Sequence, residues 1–419
     1  MSSSPRIVSW FAWFLAVSFF AYQFVLRVSP GVIMQDIMQK FHINATSFGV
    51  LSAAYYFGYS GMQIPVGILL DKYGPRFVIA ICALICVIGN LSFIYSEHWA
   101  FALVGRFLIG FGSAAGFLGT AKTIRMYFKE EHFTHMVGMT FTIGLLGALY
   151  GGKPISMLNA KFGWQAVLLV LSGAGVAIAA LILLLFRNVS NNEVIKDDTP
   201  IWRGVIDVIK QPKILWIGFC GALLVGPMEC FADIWGVSYL TTVYGIDRAD
   251  ASMITSAIYF GMCFGGPILA FFAEKFHSHY TTTAVSGLIM AIIFALMIFK
   301  GGYSTSKLAV LMFIVGILCC YQVLVFSIVD GMVPANLSGI VISVTNMMIM
   351  AIGSLFHFVI GLVMDFYWDG KLSEEGLRLY STEAYSNSLL IIPATLMLGF
   401  IGFLILRPKK IAVETAAAK

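Results

Sequence analysis

The sequence predicts an all-α membrane protein of twelve transmembrane helices, folded as two pseudo-symmetric halves of six. Three observations carry this reading. Apolar residues make up 59% of the 419 and charged residues 11%, under half the charged share of a soluble domain. Twelve apolar segments recur along the chain. Each is long enough, at about 1.5 Å per residue, to cross a hydrocarbon layer about 30 Å thick. The longest polar connection, Asn188 to Pro212, falls after the sixth segment and divides the chain evenly.

In order, the segments run at 10–38, 46–70, 77–95, 99–125, 133–157 and 164–187, then at 213–242, 250–274, 281–300, 308–330, 336–366 and 386–406. The first follows a short polar start, Met1 to Ser9. It outruns a signal peptide and has no small-residue cleavage pattern, so it reads as a first span. The fifth is glycine-rich, with Gly144, Gly147, Gly151 and Gly152, a spacing that lets helices pack closely. The seventh carries Pro227, which breaks the helix and exposes carbonyls. The expected organisation is a first bundle at 1–190, a linker at 191–212 and a second bundle at 213–419. Within the linker, Trp202 to Ile209 reads as an amphipathic stretch lying along the membrane surface.

An even number of spans puts both termini on one side. Loops and tails on that side hold 15 Lys and Arg against 7 opposite, so both termini are expected in the cytoplasm. Short loops point to a bacterial inner (plasma) membrane. The net charge of +5 is scattered over loops, which excludes a nucleic-acid surface. The seven cysteines lie inside apolar runs, without zinc-site spacing or a disulfide framework. No phosphate loop, metal cluster or nucleophile–base pair stands out, so neither an enzyme, a cofactor nor a metal is expected. The seven histidines read as interface residues.

At the end of the second segment stands Gly67-Ile68-Leu69-Leu70-Asp71-Lys72-Tyr73-Gly74-Pro75-Arg76. It resembles the signature of the major facilitator superfamily, G-x-x-x-D-R/K-x-G-x-R/K, in its usual place between spans two and three. The resemblance implies a gate in which Gly67, Asp71, Lys72, Gly74 and Arg76 latch the two halves on the cytoplasmic side. Gly266 to Lys275 is a degenerate second-half counterpart. Arg106-Phe107-Leu108-Ile109-Gly110 resembles the superfamily's fourth-span motif, whose arginine is linked to proton coupling in some members and to structure in others. Gly105-Arg106-Phe107 and the Trp/Tyr-rich segments also look loosely like the lysosomal dipeptide carrier branch. Tyr22 to Arg27 resembles span one of organic-anion and sugar-phosphate members, where an arginine holds the anion. The second arginine of phosphate carriers is replaced in the seventh segment by acids.

Charges inside apolar segments are costly and usually face a cavity. By helical rise Arg27, Arg106 and Glu229 fall near one depth, and Glu229 and Asp233 share one face of the seventh segment. Lys122 and Lys153 lie nearer segment ends, within reach of the interfaces. Cations from one half thus face acids from the other, which suits a zwitterion. A carboxylate meets Arg27, and an amino group meets Glu229 or Asp233. Gln23, Tyr55, Tyr59, Tyr259, Tyr321, Gln322 and Asn346 complete the candidate binding set. Glu229, Asp233 and Arg106 are the proton-coupling candidates.

The expected activity is secondary transport by alternating access. The solute is a small zwitterion or carboxylate such as an amino acid or short peptide, with protons as a coupling ion and the chain working as a monomer in lipid. The alternatives are an organic-anion transporter, a multidrug efflux pump and a non-transporting sensor on the same fold.

Overall fold

The computed structural model describes residues 6–186, 201–334, 337–374 and 376–408. The linker's first ten residues and both chain ends therefore lie outside the described residues.

The first set of helices comprises α1 (Arg6–Val32), α2 (Met34–Phe41), α3 (Ala45–Tyr73), α4 (Pro75–Tyr95), α5 (Trp99–Tyr127), α6 (Phe133–Gly151), α7 (Lys153–Phe162) and α8 (Trp164–Leu185). The second comprises α9 (Ile201–Ile209), α10 (Pro212–Tyr244), α11 (Arg248–Lys275), α12 (His279–Lys300), α13 (Thr305–Asp330), α14 (Ser338–Phe366) and α15 (Thr382–Leu406). Among the described residues, ten helices are long and apolar enough to cross a membrane by length and composition. The chain is a multi-pass all-α membrane protein. Two of the twelve expected segments are helical but fall short of that measure. Polar Thr46, Ser47, Ser52, Ser60 and Gln63 dilute α3. The other breaks at Gly152 into α6 and the polar α7, which carries Lys153, Asn159 and Lys161.

Proline and glycine set where these rods bend. Pro30 lies inside α1, and Pro227 opens a stretch of wide π-type turns, Pro227–Trp235, inside α10. Helix α3 is capped at both ends. Asn44 accepts from the Ser47 amide at 2.9 Å to start α3, and Gly74, at φ 75°, ends it. That positive φ is one an L side chain adopts only with strain.

Helix ends pair off consistently. Trp10 at the start of α1 packs on Phe128 after α5, and Arg76 at the start of α4 donates to the carbonyl of Leu183 near the end of α8. We term this the near end. At the opposite, far end, Lys40 of α2 donates to the carbonyls of Phe93 and Ile94 at 2.7 and 2.6 Å, a cation at the C-terminus of α4. Desolvation there holds the Lys40 ammonium pKa below its usual value. The amphipathic stretch of the linker is helix α9, which buries Val205 and Val208 and sets Gly204 against Ile340 of α14.

The two sets meet backbone to backbone. Gly31 of α1 lies on Asp233 and Ile234 of α10, Gly49 of α3 on His357 of α14, and Gly361 of α14 on Ala45 and Thr46 of α3. A Cβ at any of the three would collide with main chain. Gly49→Val is therefore expected to prop α3 off α14 and open the far end. A lengthened distance between spin labels on Lys161 and Lys307, both exposed at that end, is the check. An unchanged distance would contradict this packing.

Candidate functional site

Pro30 has no amide hydrogen, so the Leu26 carbonyl one turn earlier loses its helical donor. Arg106 of α5 replaces it. Its Nη1 donates to Leu26 O at 2.7 Å and its Nη2 to Arg27 O at 2.9 Å, and its guanidinium lies 4.6 Å over the Tyr55 ring. Arg106 is fully buried. These bonds tie α5 to α1 one turn before Pro30, at the residue bearing the Arg27 side chain.

Arg27 is 6% exposed and reaches across to the second set of helices. Its Nε donates to Asp233 Oδ2 at 2.6 Å, and Tyr56 of α3 donates its hydroxyl to the same oxygen. The guanidinium stacks between Phe24 and Tyr56, at 5.5 and 5.1 Å from their centroids. Arg27 Nη2 and Asp233 Oδ1 have no hydrogen-bond partner. One turn back on α10, fully buried Glu229 packs its carboxylate on Gly353 of α14, and neither oxygen has a hydrogen-bond partner. The imidazole of His357 on α14 stacks on Tyr56 at 5.3 Å, with both ring nitrogens likewise unpartnered. The centre is thus a buried cluster with donors and acceptors to spare.

The other expected residues divide around it. Tyr55 donates to Gln23 Oε1 at 2.9 Å and stacks on Tyr59, which extends the cluster along α3. Tyr259 contacts the Phe24 ring, and its hydroxyl is unpartnered. Tyr321 instead donates to Gly221 O at 2.8 Å within the second set. Gln322, with an unpartnered Nε2, and Asn346 are half-buried. Lys153 pairs with Asp250 of α11 at 2.9 Å.

In the motif after α3, Asp71 accepts from Lys122 of α5 at 2.8 Å, and Arg76 binds Leu183 O. Both bonds stay within the first set, so this motif does not latch the halves in the state observed. The hydrogen bonds that do join them run from Arg27 toward the far end. Arg248 Nη1 meets Asp36 at 3.1 Å. Asp365 of α14 accepts from the Thr46 amide at 2.9 Å, and Tyr380, bonded to the same carboxylate, accepts from the Ala45 amide at 2.8 Å. A carboxylate at the α3 N-terminus also complements that helix's positive end. The far end is closed.

Asp365→Ala is expected to weaken that closure by about 1–3 kcal/mol, through loss of charge-assisted bonds. The Lys161–Lys307 label distance would then lengthen. An unshifted distribution would show that the backbone contacts alone hold the gate.

Sequence reasoning missed Tyr56, His357 and Asp365. A single histidine deep in the apolar stretch 336–366 was the available signal for His357. Tyr56 adjoins the expected Tyr55, but only the packing of α3 on α10 reveals which ring faces Asp233.

The Major Facilitator Superfamily profile matches residues 11–357. The chain belongs to that superfamily. It is similar to an uncharacterized transporter, YybO, of Bacillus subtilis, at 21% identity over 64% of this chain and 67% of that protein. It is also similar to the "Probable sulfoacetate transporter SauU" of Cupriavidus necator, at 22% identity over 39% of this chain and 38% of that one. The "Probable galactarate/D-glucarate transporter GarP" of Escherichia coli matches at 25% identity, over 39% and 38%. The aligned segments thus span about two thirds of the first relative and well under half of the other two. Among solved structures, a bacterial homolog of the human lysosomal transporter Spinster, inward-facing and unoccupied, superposes with a TM-score of 0.73 at 16% identity, over 97% of this chain and 96% of that one. The nucleoside transporter NupG gives a TM-score of 0.71 at 14% identity, over 95% and 98%. These two carry the fold alone. The chain is a secondary transporter of small organic solutes, not an enzyme.

Proposed function

We propose that this carrier moves an organic anion, seating its carboxylate on Arg27. The single observation behind the proposal is the Arg27 guanidinium, buried midway between the two sets of helices with Nη2 free of any partner. A guanidinium fork matches a carboxylate bidentately, and a desolvated one binds it far better than an exposed one. The solutes for which SauU and GarP are named, a sulfonated acid and sugar diacids, favour an anion over the amino acid or peptide that composition and charge suggested. Of the two acids opposite Arg27, Asp233 offers no open amine site, because it is spent on Arg27 itself.

A zwitterion is the second reading. It is favoured by Glu229, whose unpartnered oxygens would accept an ammonium. In either case twelve spans in two bundles, 1–190 and 213–419, rock about this level by alternating access. On this reading both termini lie in the cytoplasm, the membrane is a bacterial inner membrane and the monomer suffices. The motif at Gly67 to Arg76 would latch the near end when the far end opens.

The test is thermal stabilisation of the purified full-length protein by sulfoacetate, D-glucarate, dipeptides, sugar phosphates and cationic drugs, in wild type and Arg27→Ala. Stabilisation by an anion in wild type alone supports the proposal. A dipeptide acting only while Glu229 is intact favours the zwitterion. Stabilisation by cationic drugs alone, equal in both proteins, contradicts both readings and favours efflux.

A further inference from the structure

We propose that Asp233 is an internal stand-in for the solute: its carboxylate holds the Arg27 seat in the empty carrier, and it gives up that seat and takes a proton when a solute carboxylate arrives. This deepens, and rests on, the Arg27 reading.

Geometry is the first argument. Asp233 comes from the opposite half, and only Oδ2 engages Arg27 while Oδ1 and Nη2 stay unpartnered. A one-point contact leaves unused the second edge of a fork that a better-placed carboxylate could take. Tyr56 donates to the same Oδ2, so both bonds cross between halves and both end when Asp233 withdraws.

Charge balance is the second. The groups around Asp233 are Arg27 from α1, Tyr56 from α3, Arg106 from α5, and Glu229 and Cys230 on its own helix, with His357 of α14 stacked behind Tyr56. Arg27, Arg106 and Asp233 are all at least nine-tenths buried, and Arg27 is the cation that Asp233 engages. A solute carboxylate that takes its place on Arg27 leaves the Asp233 carboxylate without a counter-ion away from water, which is strongly unfavourable. One proton on Asp233 removes that cost. Arg27 exchanges one carboxylate for another, and a new O–H bond forms on the carboxylate that lost its partner. That carboxylate is Asp233, since Glu229 packs on Gly353 without a cation of its own. The same exchange dissolves two cross-half links, so it frees the far end to open as solute and proton are taken up together.

The probes are D-glucarate and benzoate, titrated into full-length protein in detergent from mildly acidic to mildly alkaline pH. One proton per seated carboxylate predicts apparent affinity in wild type tightening about tenfold per pH unit on acidification. Asp233→Asn is expected to bind as tightly as acidified wild type, with no slope, and Asp233→Glu to keep the slope. A slope that persists in Asp233→Asn overturns the proposal. So does a slope abolished only in Glu229→Gln or His357→Gln, which would move the proton there, or pH-independent binding in wild type. Failure of both probes to bind in an Arg27-dependent way counts against the anion reading instead. The empty carrier then decides the inference. The Lys161–Lys307 label distance should lengthen on acidification in wild type, and be long at every pH in Asp233→Asn. Identical distances in the two proteins at every pH overturn it.

Discussion

Arg27→Ala is expected to abolish solute uptake in proteoliposomes and, separately, to destabilise the protein by about 3–5 kcal/mol. The second effect follows from what is left behind, a buried Asp233 stripped of its counter-ion. The two losses are separable. Arg27→Ala combined with Asp233→Asn removes the stranded charge and should recover much of the melting temperature while uptake stays lost. Arg27→Lys should also fail in uptake, because an ammonium is a point charge that cannot present a planar fork. Uptake regained in the double variant would mean that Arg27 is one half of a structural pair.

The second large effect concerns Arg106, which the sequence offered as a proton-coupling candidate and the structure places on the Leu26 and Arg27 carbonyls. Arg106→Leu should cost about 1–3 kcal/mol, because the Leu26 carbonyl then keeps only the long 3.4 Å bond from Ser29 Oγ. Its origin is Pro30, and that makes the account testable by a cycle. Pro30→Ala returns an amide hydrogen to Leu26, so Arg106→Leu should be milder in that background. A coupling of about 1 kcal/mol or more is expected. Strict additivity of the two substitutions would detach Arg106 from the proline break.

The fold was largely legible because a membrane span is a run of composition, and composition survives without knowledge of neighbours. The motif Gly67 to Arg76 fixed the superfamily for the same reason, as a local pattern at a span end. Where composition is mixed the reading weakens. Helix α3 is diluted by hydroxyl and amide side chains because one face packs on α14 and another lines the site, so it does not look like a lipid-facing rod. Helix α6 stops at Gly152, where the chain passes close to Ser252 and Ser256 of α11.

The site was legible one helix at a time. Arg27, Arg106, Glu229 and Asp233 were found because charge in an apolar run is conspicuous. What the chain cannot spell out is who pairs with whom across 206 positions. Arg27 and Asp233 are partners rather than two open arms for a zwitterion, and that single contact shifts the proposed solute toward an anion. Tyr321 and Tyr55 were equivalent in sequence, yet one is tied to Gly221 O and the other lies over Arg106. His357 was set aside with the loop histidines, although it is fully buried against Tyr56.

The central claim is that the Arg27 guanidinium seats the carboxylate of a transported organic anion. Its most direct test is counterflow: proteoliposomes loaded with an unlabelled anion that stabilises the purified protein, diluted into the same anion at trace labelled concentration. Wild type should draw label inward transiently, and Arg27→Lys, folded to a similar melting temperature, should not. Equal counterflow in the two proteins would contradict the claim and leave Arg27 as a buried structural ion pair.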